Sequence, residues 1–368
     1  MILQDNILYI FKNGRLERLK GLNDNKKKFP SEFFYGYIQL KDKYKLISIL
    51  EEKDFGIFEN KSFFFRLINI LNIILGKLPI GTFVSFLNKK KLKKLSNYST
   101  IIVTTNTLGM ALAMLKTFGF LNSKIVFITM GLFEISSSRW FRYLNKIFIR
   151  NVNLVTISKA ETIFLNKILP RQKIYEMSFG VDNNFWYHKK YVSDTEKYIL
   201  AVGNDLNRDW QFLADSWQAY FPKLKILTNH KINNTKLNVE LINANFHNPV
   251  ISDLDLRLLY QKSEFVIVIN KNSIQPAGQS VCLQAMACGK PVIMTNTVGL
   301  WDNSKLKNNK NIILVKLNDQ KDLIDKINKV LNCKKLKDTL SRNGLDLVSK
   351  YYNVDRMSFS LHNILKKI

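Results

Sequence analysis

The stretch Pro276–Ile293, "PAGQSVCLQAMACGKPVI", reads as loop, helix, break and strand. Gly278 and the polar pair Gln279–Ser280 precede a run of small and apolar residues. Gly289 stands where a helix C′ position takes a positive φ, and Pro291 cannot continue the helix. "PVIMT" then predicts a short buried strand. Ala285, Ala287 and Cys288 give the helix a nearly flat surface, and Gln284 lies one turn beyond Ser280. A glycine-containing loop entering a helix N-terminus offers backbone N–H groups and the positive dipole end, which suits phosphate. Small side chains let such a helix lie close on a sheet, with its N-terminus at the carboxyl ends of the strands, where open α/β sheets bind ligands. Helical side chains tilt toward the N-terminus, so Gln284 reaches back toward the loop. A plain packed helix with a solvent-facing Gln284 fits the local pattern equally well.

Outward from this stretch the chain alternates strand and helix. Strands are predicted at Ile7–Phe11, Tyr44–Leu50, Thr100–Thr105, Lys124–Thr129 and Asn153–Ser158, and "KIYEMSFGVD" closes a first half. Helices are predicted over "PSEFFYGYIQLK" with Ser31 as N-cap, over Phe63–Leu78, and through "GMALAMLKTFG". Asn183–Thr195 is polar and irregular and reads as a linker. The second half restarts at Lys197–Gly203, with strands at Lys225–Thr228, Glu264–Ile269, Pro291–Thr295 and Asn311–Val315. Helices close the chain at Asp319–Leu331, Leu336–Lys350 and Val354–Lys367. Such alternation implies two doubly wound parallel-sheet domains, and 368 residues suit two domains.

Charge is the second strong signal. Lys and Arg number 56 against 29 acids, a formal net charge of +27. From Lys61 to Arg150 there are fourteen basic residues and one acid, Glu134, so this block calls for an anionic partner. An anionic membrane surface is the expectation, with Phe63–Leu78 beside the lysines of Lys89–Lys94. Nucleic acid is the weaker partner, because no reading motif accompanies the charge. No apolar run is long enough to span a bilayer. The first residues lack a basic n-region and a cleavage site, and three cysteines without CxxC spacing suit a reducing compartment. A cytoplasmic protein is expected on both counts.

Several constellations are missing. No GxGxxG follows the first strand, no GxxxxGK[ST] occurs, and no GxSxG nucleophile elbow appears. His188, His230, His247 and His362 lack metal-ligand spacing, so no metal site is expected.

"PAGQSVCLQAMACGKPVI" resembles the signature of glycosyltransferase family 4, the retaining sugar-nucleotide transferases of the GT-B fold. In that family a Glu opens the loop and a second Glu lies eight residues on. Here Pro276 and Gln284 occupy those places, so the E-x7-E pattern is degenerate. "AVGNDLNRDWQFLADSW" (Ala201–Trp217) is similar to the family's strand, loop and helix carrying a phosphate-binding Arg and Lys. Asn204 stands in place of that Arg, and Arg208 lies near the place of the Lys. "VTISKAETIFL" and "SFGVDNNFW" resemble the interdomain region, and Met130 falls where many members carry a His. The family's N-terminal glycine-rich loop is not recognisable between Phe11 and Pro30.

The resemblance implies two Rossmann-like domains facing a central cleft. Residues 1–182 would bind the acceptor, residues 183–352 the nucleotide sugar, and residues 353–368 would form a helix packing back on the first domain. It implies a metal-independent, retaining, hexosyltransferase-like enzyme with no cofactor and a UDP- or GDP-linked sugar as substrate. The acceptor would be a glycan or lipid-linked molecule, in cell-surface polysaccharide or glycolipid synthesis on the inner face of the cytoplasmic membrane. Arg208 is the expected catalytic residue. Gly203, Asn204, Pro276, Ala277, Gly278, Gln279, Ser280 and Gln284 are the expected donor-binding set, with Gln284→Glu tolerated. Two other classes stay open: a nucleotide-sugar hydrolase or epimerase, and a non-catalytic basic binding protein of the same fold.

Overall fold

Runs of aliphatic and β-branched residues bounded by turns become parallel strands buried on both faces, the pattern expected when helices cover a sheet. The computed structural model describes residues 3–23, 29–56, 78–133, 139–189, 197–233, 236–244 and 251–368, without the side chains of Gln4, Arg139 and Phe141. The chain divides into two units. One comprises Met1–Asp24, Phe34–Met177 and Ser358–Ile368; the other comprises Asn25–Phe33 and Ser178–Met357.

Among the described residues, the first unit holds β1 (Leu3–Phe11), α1 (Arg15–Asn23), α2 (Tyr37–Leu40) and β2 (Tyr44–Glu51). It continues with α3 (Ile80–Phe86), α4 (Lys89–Ser96), β3 (Thr100–Val103), α5 (Asn106–Thr117) and β4 (Lys124–Thr129). α6 (Arg139–Ile149), β5 (Asn153–Thr156), α7 (Lys159–Ile168) and β6 (Ile174–Glu176) complete it. The strands form one parallel sheet in the order β2-β1-β3-β4-β5-β6. α5 lies so close to the sheet that a Cβ on Gly109 would stand 2.3 Å from the Phe127 ring on β4. Thr105 and Ser158 cap α5 and α7 by accepting from the N3 amides.

The second unit holds β7 (Tyr198–Val202), α8 (Trp210–Ser216), β8 (Lys223–Thr228), β9 (Val239–Asn243), α9 (Asp253–Lys262) and β10 (Val266–Val268). α10 (Gln279–Ala287), β11 (Val292–Thr295), β12 (Ile313–Val315), α11 (Gln320–Asn332) and α12 (Lys334–Tyr351) follow, and α13 (Val354–Leu365), assigned to the first unit from Ser358 onward, ends the chain. Its sheet runs β12-β11-β10-β7-β8-β9, all parallel. This is the doubly wound order, and the strand order reverses between β7 and β10.

The structure departs from the sequence expectations at specific places. "PSEFFYGYIQLK" is not one helix: a 3-10 turn, Glu32–Phe34, is followed by a break at Tyr35 (φ 47°) and Gly36 (φ 83°) before the four residues of α2. The N-cap of α2 is therefore Gly36 rather than Ser31. Phe185 and Trp186, inside the expected linker, are buried in the second unit. Residues 190–195 of that linker lie outside the described residues, as do residues 63–77 of the expected helix Phe63–Leu78. α1 and β9 were not anticipated.

Candidate active site

α10 is buried around its whole circumference, which is why it is built small. Cys282, Leu283, Ala285 and Cys288 have no exposed surface. One side faces β10 and β11, and the other faces α12. On α12, Gly344 allows close approach: a Cβ there would stand 3.2 Å from Met286 Cγ. Gly278 is the N-cap with φ 79°, and Gly289 follows the helix with φ 74°, both in the left-handed region that glycine enters freely. The first intrahelical bond runs from Cys282 N–H to Gly278 O at 2.9 Å. The amides of Ser280 and Val281 thus lie ahead of the ladder, at the positive end of the helix.

Arg208 reaches this loop from the carboxyl end of β7. Its side chain is buried; Nη1 donates to Asn270 Oδ1 at 2.7 Å, and Nε lies 3.1 Å from Asp205 Oδ2. The Nε contact is Coulombic, since the N–H is not aimed at the carboxylate oxygen. Burial disfavours the guanidinium charge, and Asp205 opposes that effect. Two glycines make room for it. A Cβ on Gly203 would come within 2.4 Å of Nε, and a Cβ on Gly278 within 2.4 Å of Nη1. Asn270, just beyond β10, joins the two loops: its Nδ2 donates to Ala277 O at 2.9 Å while its Oδ1 accepts from Arg208. Arg208, Gly203 and Gly278 therefore meet where the strand order reverses between β7 and β10.

The other expected residues divide. Pro276, Ala277 and Gln279 are buried beside Gly278, and Ser280 is half-buried at the start of α10. Asn204 is occupied in bracing loops, donating to Ala244 O at 2.6 Å and accepting from the Asn229 amide at 2.7 Å. Its carboxamide is thus a loop brace, although its backbone adjoins Gly203. Gln284 is not a solvent-facing amide. It is 5% exposed; Nε2 donates to Glu32 Oε1 at 3.0 Å and Oε1 accepts from Tyr260 Oη at 3.3 Å.

Glu32 was not among the sequence candidates. Residues 29–33 interrupt the first unit in sequence yet belong to the second. Ser31 anchors them, its Oγ donating to Asp182 Oδ2 at 2.7 Å. Glu32 is fully buried and accepts from Trp186 Nε1 at 2.7 Å, from Gln284 Nε2 and from the Asp182 amide at 3.3 Å. Burial pushes its carboxyl up to about 7, against the pull of those N–H donors. Asn270, Trp186 and Tyr260 were also missed; the one sequence cue was the polar Asn270 ending the apolar run "FVIVI". Gln284→Glu, expected to be tolerated, would set two carboxyls about 3 Å apart.

In the first unit, the loop after β4 is tied down by a second buried acid. Glu161 Oε1 accepts from the Gly131 and Leu132 amides, each at 2.9 Å, and burial raises its carboxyl. Met130 in that loop contacts Tyr35 Oη through its sulfur at 3.8 Å.

Comparison with known proteins bears on the same region. The family described as "Glycosyl transferases group 1" matches residues 228–346, which include α10 and its loop. None of the curated proteins is similar enough in sequence to count as a match. Among solved structures, sucrose-phosphate synthase from Thermosynechococcus elongatus superposes with a TM-score of 0.69 at 14% identity, over 99% of each chain. HepE from Anabaena in complex with UDP and glucose gives 0.68 at 13% identity, over 99% of this chain and 100% of that one. A glycosyltransferase from Rickettsia africae gives 0.62 at 15% identity, over 99% and 98%. Identities this low speak to fold alone, while the family match speaks to sequence. Residues 228–346 thus match the group 1 glycosyl transferases, and the fold of the whole chain is GT-B.

Proposed function

We propose that the chain transfers a sugar from UDP to a glycan or lipid-linked acceptor, with retention of configuration and without a metal. The observation that carries this reading is the buried Arg208 guanidinium, held between Gly203 and Gly278 beside the α10 N-terminus. Breaking a sugar–phosphate bond builds negative charge on the diphosphate, and fixed donors aimed at that charge are the largest catalytic contribution available. Arg208 matches phosphate oxygens with a planar fork, and the Ser280 and Val281 amides add the helix end. The choice of UDP is supported by the similar fold of HepE, crystallised with UDP and with UDP-glucose. Retention follows if the acceptor attacks the face that the diphosphate leaves, with the departing phosphate taking the acceptor proton.

The test is incubation with a panel of nucleotide sugars, reading UDP release and the anomeric configuration of the product. Retained configuration, with release that survives EDTA, is the expected outcome. Inverted product, chelator-sensitive release, or hydrolysis unchanged by every acceptor would overturn the corresponding part of the reading.

We further propose that the first unit attaches to anionic membrane, as glycolipid or polysaccharide synthesis on the inner leaflet requires. No helix among the described residues is long and apolar enough to cross a bilayer. α4 supports a peripheral contact: Lys89, Lys90, Lys93 and Lys94 are exposed, while Leu95 is buried beneath them. Lys91 is spent on structure, its Nζ donating to Ser85 O at 2.9 Å and to Phe55 O. Each basic residue at an anionic leaflet contributes about 1 kcal/mol, screened by salt. Neutralising the four exposed lysines should abolish low-salt co-sedimentation with anionic vesicles; unchanged binding would refute this attachment.

A further inference from the structure

We propose that Glu32 and Gln284 form one acid–amide pair in which Glu32 is a positioning residue for the sugar-nucleotide site. Its carboxylate fixes the Gln284 carboxamide in a single orientation, Nε2 inward and Oε1 toward Tyr260. The proposal rests on reading the α10 N-terminus as that site.

The geometry allows one arrangement. Glu32 accepts three N–H groups, from Trp186, Gln284 and Asp182. An ionised carboxylate has only acceptors, so the amide must present its NH₂ to it. Its oxygen then faces Tyr260 Oη, whose phenol is kept neutral by burial and can donate. Without the carboxylate, a carboxamide between two neutral partners can take either of two orientations. The fixed orientation leaves the second Oε1 lone pair as an acceptor of constant identity, suited to a sugar or ribose hydroxyl. A buried acid is costly to keep, and packing alone would be served by an apolar side chain. Here the acid serves the Gln284 carboxamide, the Trp186 indole and the Asp182 backbone amide, near the helix end where Arg208 sits.

The pair must also carry one charge and no more. Asp182, Tyr260 and Cys288 are the other titratable groups facing Glu32. Burial holds the Tyr260 phenol and the Cys288 thiol neutral near pH 7. Gln284→Glu would therefore place two carboxyls in one pocket, and they would have to share a proton.

The experiment measures UDP-glucose affinity by calorimetry at pH 6 and pH 8 for wild type, Glu32→Gln, Gln284→Glu and the exchange Glu32→Gln/Gln284→Glu. Glu32→Gln should weaken binding about fivefold to tenfold at pH 8, where Glu32 is ionised, and less at pH 6, where it is mostly protonated; about fivefold to tenfold is the size of one lost oriented hydrogen bond. Gln284→Glu should bind at least about tenfold more weakly at pH 8 than at pH 6, because a shared proton is lost as pH rises. The exchange, with one acid and one amide again, should return to within about threefold of wild type and lose that pH dependence. Thermal melting of each variant separates site effects from unfolding, and the exchange covers the case in which Gln284→Glu fails to fold. Wild-type affinity in Glu32→Gln at pH 8, or an exchange no better than Gln284→Glu alone, overturns the proposal while leaving the site reading intact. A wild type that binds no nucleotide overturns the site reading and the proposal with it.

Discussion

At the scale of the residue, the site is a set of mutually dependent placements around Arg208. The interaction of Arg208 with the diphosphate should strengthen as the sugar–phosphate bond breaks. Arg208→Ala should lower kcat by about 10²–10³, as loss of one preorganised donor does elsewhere, with a smaller change in donor affinity. Arg208→Lys should recover part of the rate, since a point charge replaces the fork. Steady-state kinetics on folded variants decide this, and a kcat within a few-fold of wild type would remove Arg208 from the chemistry. Gln284→Ala acts on two partners at once, leaving Glu32 one donor short and Tyr260 Oη without its acceptor. It should weaken donor binding by about 1–2 kcal/mol and lower the melting temperature as well. Glu32 adds a pH signature. Its folded value, about 7, lies above the ordinary 4.5, so its contribution to stability is full below pH 4.5 and lost as pH rises through 7. That contribution is of the order of 3 kcal/mol, and Glu32→Gln should flatten the fall in melting temperature between pH 5 and pH 8. An unchanged slope would assign the pH dependence to other groups.

At the scale of the element, strands and buried helices were legible because burial leaves a continuous apolar record. β4 runs over Lys124–Thr129 as expected, and α10 is bounded by the glycines that its cap positions demand. What escaped notice carries little such record. β9 lies at a sheet edge with Glu240, Leu241 and Asn243 exposed, so its alternation is too weak to mark a strand. The segment after Pro30 looked like a single helix because neither Tyr35 nor Gly36 declares its left-handed φ, and because residues 32 and 34 belong to different units. The Glu32–Gln284 contact was illegible for a related reason: 252 residues separate partners that only the fold brings together. Element packing yields its own prediction. Gly109→Ala would drive a methyl into the Phe127 ring and push α5 off β4. Overpacking of this kind costs about 1–3 kcal/mol, so the variant should melt earlier. A melting temperature equal to wild type would mean that α5 is not seated as described.

At the scale of the molecule, two doubly wound sheets follow from the repeated alternation of strand and helix, and the charge asymmetry follows from the lysine-rich stretch before β3. The second unit is not one continuous piece of chain, since residues 29–33 enter it from between β1 and β2. The polar run "NDNKKK" that precedes this entry does not say which unit the following residues join, so boundaries placed at 182 and 352 did not contain it. The consequence is that the second unit needs the N-terminal segment to complete the surroundings of Gln284. A fragment beginning near Ser178 should therefore bind UDP more weakly than the full chain; equal affinity would show that the segment is dispensable. The central claim is that Arg208, seated between the β7 and β10 loops, binds the diphosphate of a UDP-linked sugar. Calorimetric titration of UDP into the full-length protein and into Arg208→Ala tests it most directly. Saturable one-to-one binding by wild type, reduced at least about tenfold in the variant, is the predicted result. Binding that is equal in the two proteins, or absent from both, would contradict it.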